Sequence, residues 1–469
     1  MAAHFALRRW TFSLILGALS GCGPWTQATA PKSTPALPTV KAVGGPAGKP
    51  GSDWPRFLGP TGDGVSNEKG ILTAWPQDGL RLVWHADLGE GYCPPAVAGD
   101  RVYLFDRIRD LTRLSCRDRI SGHEHWQFSY PTDYRDMYGY DGGPRACPVV
   151  DGDRVYIYGP EGMLHCVNVA DGKKVWEVDT IAKYGVVPNF FGVGSAPLIY
   201  GDLVIVAVGG SPAKDSPVDL RDRDPAAAGS AIVAFDKRTG AEKYRTGDDL
   251  ASYSVPIVAT VHGSPMGLYF ARGGLLGFDP AGGKVEFHYP WRARIRESVN
   301  AANPVVVGDQ ILITECYGAG SSLLKLKPGG YDVIWQDDPD ARQKRLECHW
   351  NTPIHVDGYV YGSSGRHTPQ AELGCVELAN GKLQWRVPGL SRSQLTFADG
   401  HFLVLTEYGQ LLLVRVNPKR YEEVARIDYG MTGLKLLKYP VWAAPVLSHG
   451  LLYIRGQGRF ICLELIPSG

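Results

Sequence analysis

Several groups of residues in the chain are of types that do chemistry. His349 and His367 with Glu297 have the makings of a base and an acid for a hydrolase, on residue type alone. Cys316 and the Cys348-His349 step carry zinc-ligand types, but one Cys-His step lacks the paired spacing of a zinc site. Asp215, Asp219, Asp222 and Asp224 offer carboxylates for calcium. Arg221 and Arg223 lie between them, which favours a solvated loop, so no metal is assigned. The richest set is suited to recognition: Tyr140, Arg145, Phe191, Arg292, Arg296, Glu297, Asn300, His349, Trp350, Asn351 and Trp442. Rings and arginines are the usual anchors of a binding surface. Glu315, Tyr317, Arg366 and His367 form a secondary set. The alternative is that all of them only pack long loops.

The elements that must position these residues form a repeat. The stretch "GMLHCVNVADGKKVWEVD", Gly162 to Asp179, is an apolar strand, an Asp-Gly turn and a strand bearing Trp176. Similar units align on Cys116, Cys166, Ala234, Gly277, Lys325, Cys375, Val414 and Cys462. Self-similarity at such spacing, with four short strands per unit, predicts propeller blades. A residue-Pro step recurs at Cys93-Pro94, Cys147-Pro148, Ala196-Pro197, Val255-Pro256, Asn303-Pro304, Thr352-Pro353 and Ala444-Pro445, and is missing near Ser393 to Phe397. Proline has no N–H and suits the start of each innermost strand. The recognition residues fall in the loops that lead into those strands, or between second and third strands, and both sets share one face of a propeller.

Seven full units run from about Tyr92 to Tyr429, and Tyr439 to Leu465 supplies three more strands. "GLRLVWHADLG", Gly79 to Gly89, is a lone Trp-bearing fourth strand, so the two ends are expected to complete an eighth blade. The fold class is therefore all-β, an eight-bladed propeller closed by its N-terminal strand, which removes exposed edges. "GGSPAKDSPVDLRDRDPAAAG", Gly209 to Gly229, is expected as a long loop inside the third blade.

The 469 residues carry a formal net charge of +1, which argues against a duplex nucleic-acid binder. Residues 1–21 form an expected signal peptide, with Arg8 and Arg9 before an apolar run too short to span a bilayer. The run ends in Leu19-Ser20-Gly21-Cys22, which resembles the bacterial lipobox and implies a lipid on Cys22; an ordinary signal peptide with a chance cysteine is the alternative. Residues 22–52 are rich in Pro, Ala, Gly, Thr and Ser and form an expected tether reaching roughly 30 Å. Residues 53–78 are a lead segment that packs on the propeller of residues 79–469.

The "Gly-x-Leu-x-Cys … Asn-Gly-Lys-x-x-Trp" units resemble the pyrroloquinoline-quinone (PQQ) repeat family. That superfamily holds quinoprotein alcohol dehydrogenases and the propeller lipoprotein of the outer-membrane β-barrel assembly machinery, which binds no quinone. "DWPRFLGPTGDGVSNEKGILTAWP", "WRARIRESVNAANPVVVGD" and "CHWNTPIHVDGYVYGSSGRH" also resemble envelope propellers of planctomycete-type bacteria. The dehydrogenase resemblance implies adjacent cysteines over the quinone and a Ca²⁺ set of Glu, Asn and Asp; the chain has no Cys-Cys pair, no matching set and no Cys-x-x-Cys-His haem motif. The expectation is a monomeric, non-catalytic binding or assembly scaffold in the bacterial cell envelope, lipid-anchored at the periplasmic face of the outer membrane, without a cofactor. Its partner would be an envelope protein or peptide, or a carbohydrate. A PQQ- and Ca²⁺-dependent alcohol dehydrogenase is the alternative.

Six of the nine cysteines occupy repeat-equivalent places, Cys116, Cys166, Cys375 and Cys462 at one and Cys93 and Cys147 at another. Equivalent positions in non-adjacent blades lie beyond the about 7 Å Cα separation a disulfide allows. Buried small hydrophobes are the better reading.

Overall fold

Strands of two to eight residues alternate with tight turns from Val65 to Glu464, because apolar β-formers come in short runs broken by Gly and Asp. The structure, a computed structural model, describes residues 51–212, 220–221 and 223–467. The expected signal peptide, Cys22, the tether as far as residue 50, and Asp215, Asp219 and Asp222 lie outside the described residues. Among the described residues no helix is long and apolar enough to cross a membrane.

The strands form eight sheets, each built on four antiparallel strands. Blade 1 comprises Ala96–Ala98, Arg101–Ile108, Leu111–Asp118 and Glu124–Pro131. Blades 2 to 7 follow at 149–179, 198–246, 257–290, 305–336, 354–388 and 393–428. Blade 8 takes Val446–Ser448, Leu451–Gly456 and Arg459–Glu464 from the C-terminal end and Leu82–Asp87 from the other, with Trp84 opposite Cys462. The eight-bladed ring and its shared last sheet are as expected from the repeat.

Burial follows position in the blade. In blade 2 the middle strands Arg154–Tyr158 and Met163–Asn168 are buried along both faces, whereas Lys174–Asp179 buries Trp176 between exposed neighbours. Middle strands are sandwiched between adjacent blades and so read as continuous apolar runs; only the outer strand alternates.

A recurring hook joins the blades. The fourth-strand ring stands opposite a small residue of its own third strand: Trp126 opposite Cys116, Trp176 opposite Cys166, Tyr244 opposite Ala234, Phe287 opposite Gly277 and Trp385 opposite Cys375. Most of these rings then donate to a carbonyl in the hairpin turn of the next blade. Trp84 Nε1 reaches Arg119 O at 2.9 Å, Trp126 reaches Val169 O at 2.9 Å, Trp176 reaches Lys237 O at 3.1 Å and Tyr244 Oη reaches Pro280 O at 2.8 Å. Trp335 and Trp385 do the same to Leu378 O and Asn417 O. The turn glycine makes room: Gly172 has φ 70°, and a Cβ there would lie 2.5 Å from the Trp126 ring. The Asp-Gly turn is thus a socket as well as a reversal. Burying each ring contributes roughly 1.5–3 kcal/mol, and only a neighbouring blade can provide the burial.

Two aligned positions need correction. In blade 5 Trp335 stands opposite Leu323, and Lys325 lies two residues outward and exposed. In blade 7 the equivalent place is Leu413, opposite Ala425, and Val414 is one residue past it. Ala425 has no ring because blade 8 has no third-to-fourth-strand hairpin to receive one; its outer strands come from opposite chain ends. The lead segment fills that place instead, with Ile71, Leu72 and Trp75 packed in the same cluster as Ala425 and Leu465.

The lead segment packs on the propeller and crosses the end where first strands turn into second strands. Trp54 exchanges hydrogen bonds with Val97, Pro55 O accepts from Val150 N, and Val65–Ser66 pairs in parallel with Ser393–Ala398. Glu68 is buried and accepts from the amides of His449 and Gly450. All eight cysteines among the described residues are buried and unpaired with one another.

Candidate functional site

At the opposite end of the ring the chain enters each first strand through an extended approach. Period-two geometry then turns every second residue toward the axis. Two residues before the step position stand Arg145, Gly194, Tyr253, Ala301, Trp350, Arg392 and Trp442, and all of them line one central cavity of about 320 Å³. The step residues Cys147, Ala196, Val255, Gln394 and Ala444 line it deeper. Phe57 of the lead segment joins the lining, so the segment that crosses the far end of the ring reaches this cavity.

The wall is a chain of touching rings. Trp442 lies 4.8 Å from Tyr92, 5.7 Å from Tyr140 and 5.1 Å from Trp350, centroid to centroid. His349 packs on Trp350 at 4.4 Å, and its Nε2 is 3.1 Å from Tyr317 Oη. Phe191 links Tyr140 to Tyr253 on the other side.

Three guanidinium groups border these rings, and their charges are met differently. Arg392 lies 4.6 Å over Trp350 and grips Glu407, with Nε to Oε1 at 3.0 Å and Nη2 to Oε2 at 2.5 Å. Thr368 and Trp442 Nε1 also donate to Glu407. Burial works against charging Glu407, but these hydrogen bonds, Arg392 first, hold it below the usual carboxylate range. Arg145 lies 5.3 Å over Tyr92 and pairs with buried Asp136 at 3.0 Å. Arg366 lies 4.6 Å over Tyr317 and has no carboxylate within ion-pair distance among the described residues. Glu315 acts on it only through space.

Two of the remaining polar groups, His349 and Cys147, are poorly equipped for acid–base work. Burial, helped by Arg392 and Arg366, pushes the His349 imidazolium down to about 3, so the ring is neutral. Burial pushes the Cys147 thiol well up, away from a thiolate. Among the described residues no Asp or Glu lines the cavity. Among the described residues no group of three or more His, Cys, Asp or Glu side chains is placed to hold a metal.

Of the residues singled out in the sequence, Tyr140, Arg145, Phe191, Tyr317, His349, Trp350, Arg366, His367 and Trp442 meet at this cavity. The others do not line it. Asn300 donates to Ala271 O at 2.6 Å, and Asn351 brackets Ser363 with two backbone hydrogen bonds. Glu315 is buried and accepts from the amides of Tyr317 and Ala319, so it shapes the loop that carries Tyr317. Arg292 pairs with Asp224, and the Arg296 carbonyl accepts from Arg272, which ties the loop to the long insertion of blade 3. Asp224 is thus an ion-pair partner of Arg272 and Arg292. Glu297 is half-buried outside the cavity lining, so the hydrolase grouping with His349 and His367 is not assembled there. Cys316 and Cys348 are buried, their thiols raised by burial.

Sequence reasoning missed Tyr92, Tyr253, Arg392, Gln394 and Phe57. The first four sit within two residues of the step register, and counting back from each first strand would have found them. Arg392 was hidden because its blade lacks the proline.

A family model described as outer membrane protein assembly factor BamB matches residues 110–387. No curated protein matches the sequence. Among solved structures, BamB from Moraxella catarrhalis is 15% identical, with 83% of this chain and 99% of that chain covered and a TM-score of 0.56. Quinohemoprotein alcohol dehydrogenase from Comamonas testosteroni is 14% identical, with 89% and 81% covered and a TM-score of 0.61. A quinohemoprotein alcohol dehydrogenase from Pseudomonas putida is 12% identical, with 89% and 81% covered and a TM-score of 0.56. At these identities the likeness is one of fold.

Proposed function

The chain belongs to the family of outer membrane protein assembly factor BamB, and from that premise we propose that it is a non-catalytic binding and assembly scaffold of the bacterial cell envelope. The mouth of the ring is its recognition surface, and a lipid on Cys22 holds it at the membrane, with an envelope protein or peptide as its partner. The observation that carries this reading is the cavity itself: approaches from all eight blades converge on rings and guanidinium groups, with no carboxylate or activated nucleophile among the lining residues. A rigid wall of tryptophan and tyrosine offers area without much ordering cost, which is what a recognition site needs.

The quinone alternative was favoured by the shared fold. Its expected calcium ligands, Glu, Asn and Asp, have no counterpart among the cavity-lining residues, whose polar members are arginine, histidine, tyrosine and Gln394. The residues present do not fit a calcium-bound quinone.

The test is photo-crosslinking in intact cells from position 140, exposed at the mouth, and from position 202, exposed in a first-to-second-strand turn at the opposite end. Adducts with envelope proteins are expected from the first position and not from the second. Bound quinone in the absorbance spectrum, or dye-linked alcohol oxidation on adding PQQ and Ca²⁺, would overturn the reading in favour of an oxidoreductase.

A further inference from the structure

We propose that the mouth cavity is a receptor for a monoanionic ligand with a flat apolar body, its carboxylate held by Arg366. This deepens the reading of the mouth as a recognition surface and rests on it.

The charge balance sets the sign and the number. Arg145 is neutralised by Asp136 and Arg392 by Glu407, and both carboxylates are themselves buried. Arg366 remains, its guanidinium held against the Tyr317 ring with no paired carboxylate among the described residues. Its side chain makes no hydrogen bond there, so its donors are available to an oxyanion in bidentate geometry. One uncompensated cation calls for one negative charge. A ligand with several carboxylates would leave the others facing a wall of rings, at a desolvation cost nothing there offsets.

The wall sets the shape of the rest. Trp350, Tyr140 and Tyr92 each place a ring against that of Trp442, and neutral His349 adds no charge. A volume of about 320 Å³ is at the small end for ligand sites and suits one ring with a short acidic arm. Among the other polar groups of the lining, Tyr317 and His349 are hydrogen-bonded to each other and Tyr253 Oη accepts from Phe191 N, so these serve the wall itself.

The same chemistry comes from a free aryl acid or from the aromatic C-terminal residue of a peptide. The full-length chain in detergent is titrated with 3-phenylpropionate and with its neutral counterpart 3-phenylpropionamide, following tryptophan fluorescence. Gly-Gly-Phe with a free and with an amidated terminus forms the second arm. In at least one arm the acid is expected to bind about tenfold tighter than the amide, and the arm in which it does so identifies the source. Arg366→Gln abolishes the preference, and Arg366→Lys restores part of it. Equal affinity for acid and amide in both arms, no binding of any probe, or a preference that survives Arg366→Gln overturns the proposal. If that happens while crosslinks from position 140 persist, the scaffold reading stands and only the ligand class falls.

Discussion

Trp84 stands directly opposite Cys462, so the strand that enters the propeller is zipped to the strand that leaves it. The ring has no free sheet edge at its seam, and the indole is hooked onto blade 1 through Arg119 O. Closure therefore depends on one buried side chain that serves its own sheet and the next.

Trp84→Ala is expected to cost about 3–5 kcal/mol, the usual range for emptying a buried tryptophan site. The cost should appear as a fall in the urea midpoint and as earlier aggregation, since an opened seam exposes the Arg459–Glu464 strand as an edge. A parental midpoint would mean that the seam does not hold the ring.

The socket glycines separate backbone strain from ring contact. Gly172 and Gly152 both have positive φ, at 70° and 56°. A Cβ at Gly172 meets the Trp126 ring at 2.5 Å, whereas one at Gly152 meets nothing within 4 Å. Gly152→Ala should cost about 1 kcal/mol, the price of strain alone. Gly172→Ala should cost about 1–3 kcal/mol more, as overpacking is added. Equal thermal midpoints for the two variants would refute the socket.

Glu407 is a strut beneath the cavity wall. Glu407→Gln leaves Arg392 uncompensated between two tryptophans and is expected to destabilise the fold by about 3–5 kcal/mol at neutral pH. Because the folded-state carboxylate titrates below its usual range, its stabilisation is present above the ordinary glutamate value and is lost as pH falls through the depressed one. The parent should thus lose stability on acidification more steeply than the variant. Denaturant midpoints at neutral and strongly acidic pH check both statements.

Glu315 has the opposite sign. Burial raises its carboxyl to about 7 against the accepted amide hydrogen bonds. Its contribution is fully present below the ordinary value near 4.5 and is lost as pH rises through about 7. The slope it imposes is on the order of 3 kcal/mol over that window. Glu315→Gln should flatten the difference in stability between pH 5 and pH 8. Coincident profiles for the parent and the variant would show that the group does not titrate there.

The blades were legible because they are local. Each unit writes its own turn, its ring and the small residue opposite it, and six of the eight aligned positions fall on the observed register, with Lys325 and Val414 displaced. Those two failures mark a blade with a longer hairpin and a blade without a ring, where the local signal is weakest. The mouth was legible as a face, since loop class follows strand order, but only in part as a site. Arg292 and Asn300 belong to loops of the right class, yet they spend their polar groups on Asp224 and on backbone.

By itself the amino-acid order determined the fold: periodicity, turn chemistry and complementary ends specify eight sheets closed into a ring, because strand pairing and ring burial act between residues near in sequence or in adjacent repeats. Only the tertiary structure decided which side chains meet on the axis, that Phe57 reaches the cavity from the lead segment, and that Arg366 alone of the three cavity arginines lacks a carboxylate partner among the described residues. Those choices rest on contacts among eight loops far apart in the chain, where a side chain's partner is set by distance in space, which no spacing along the sequence records.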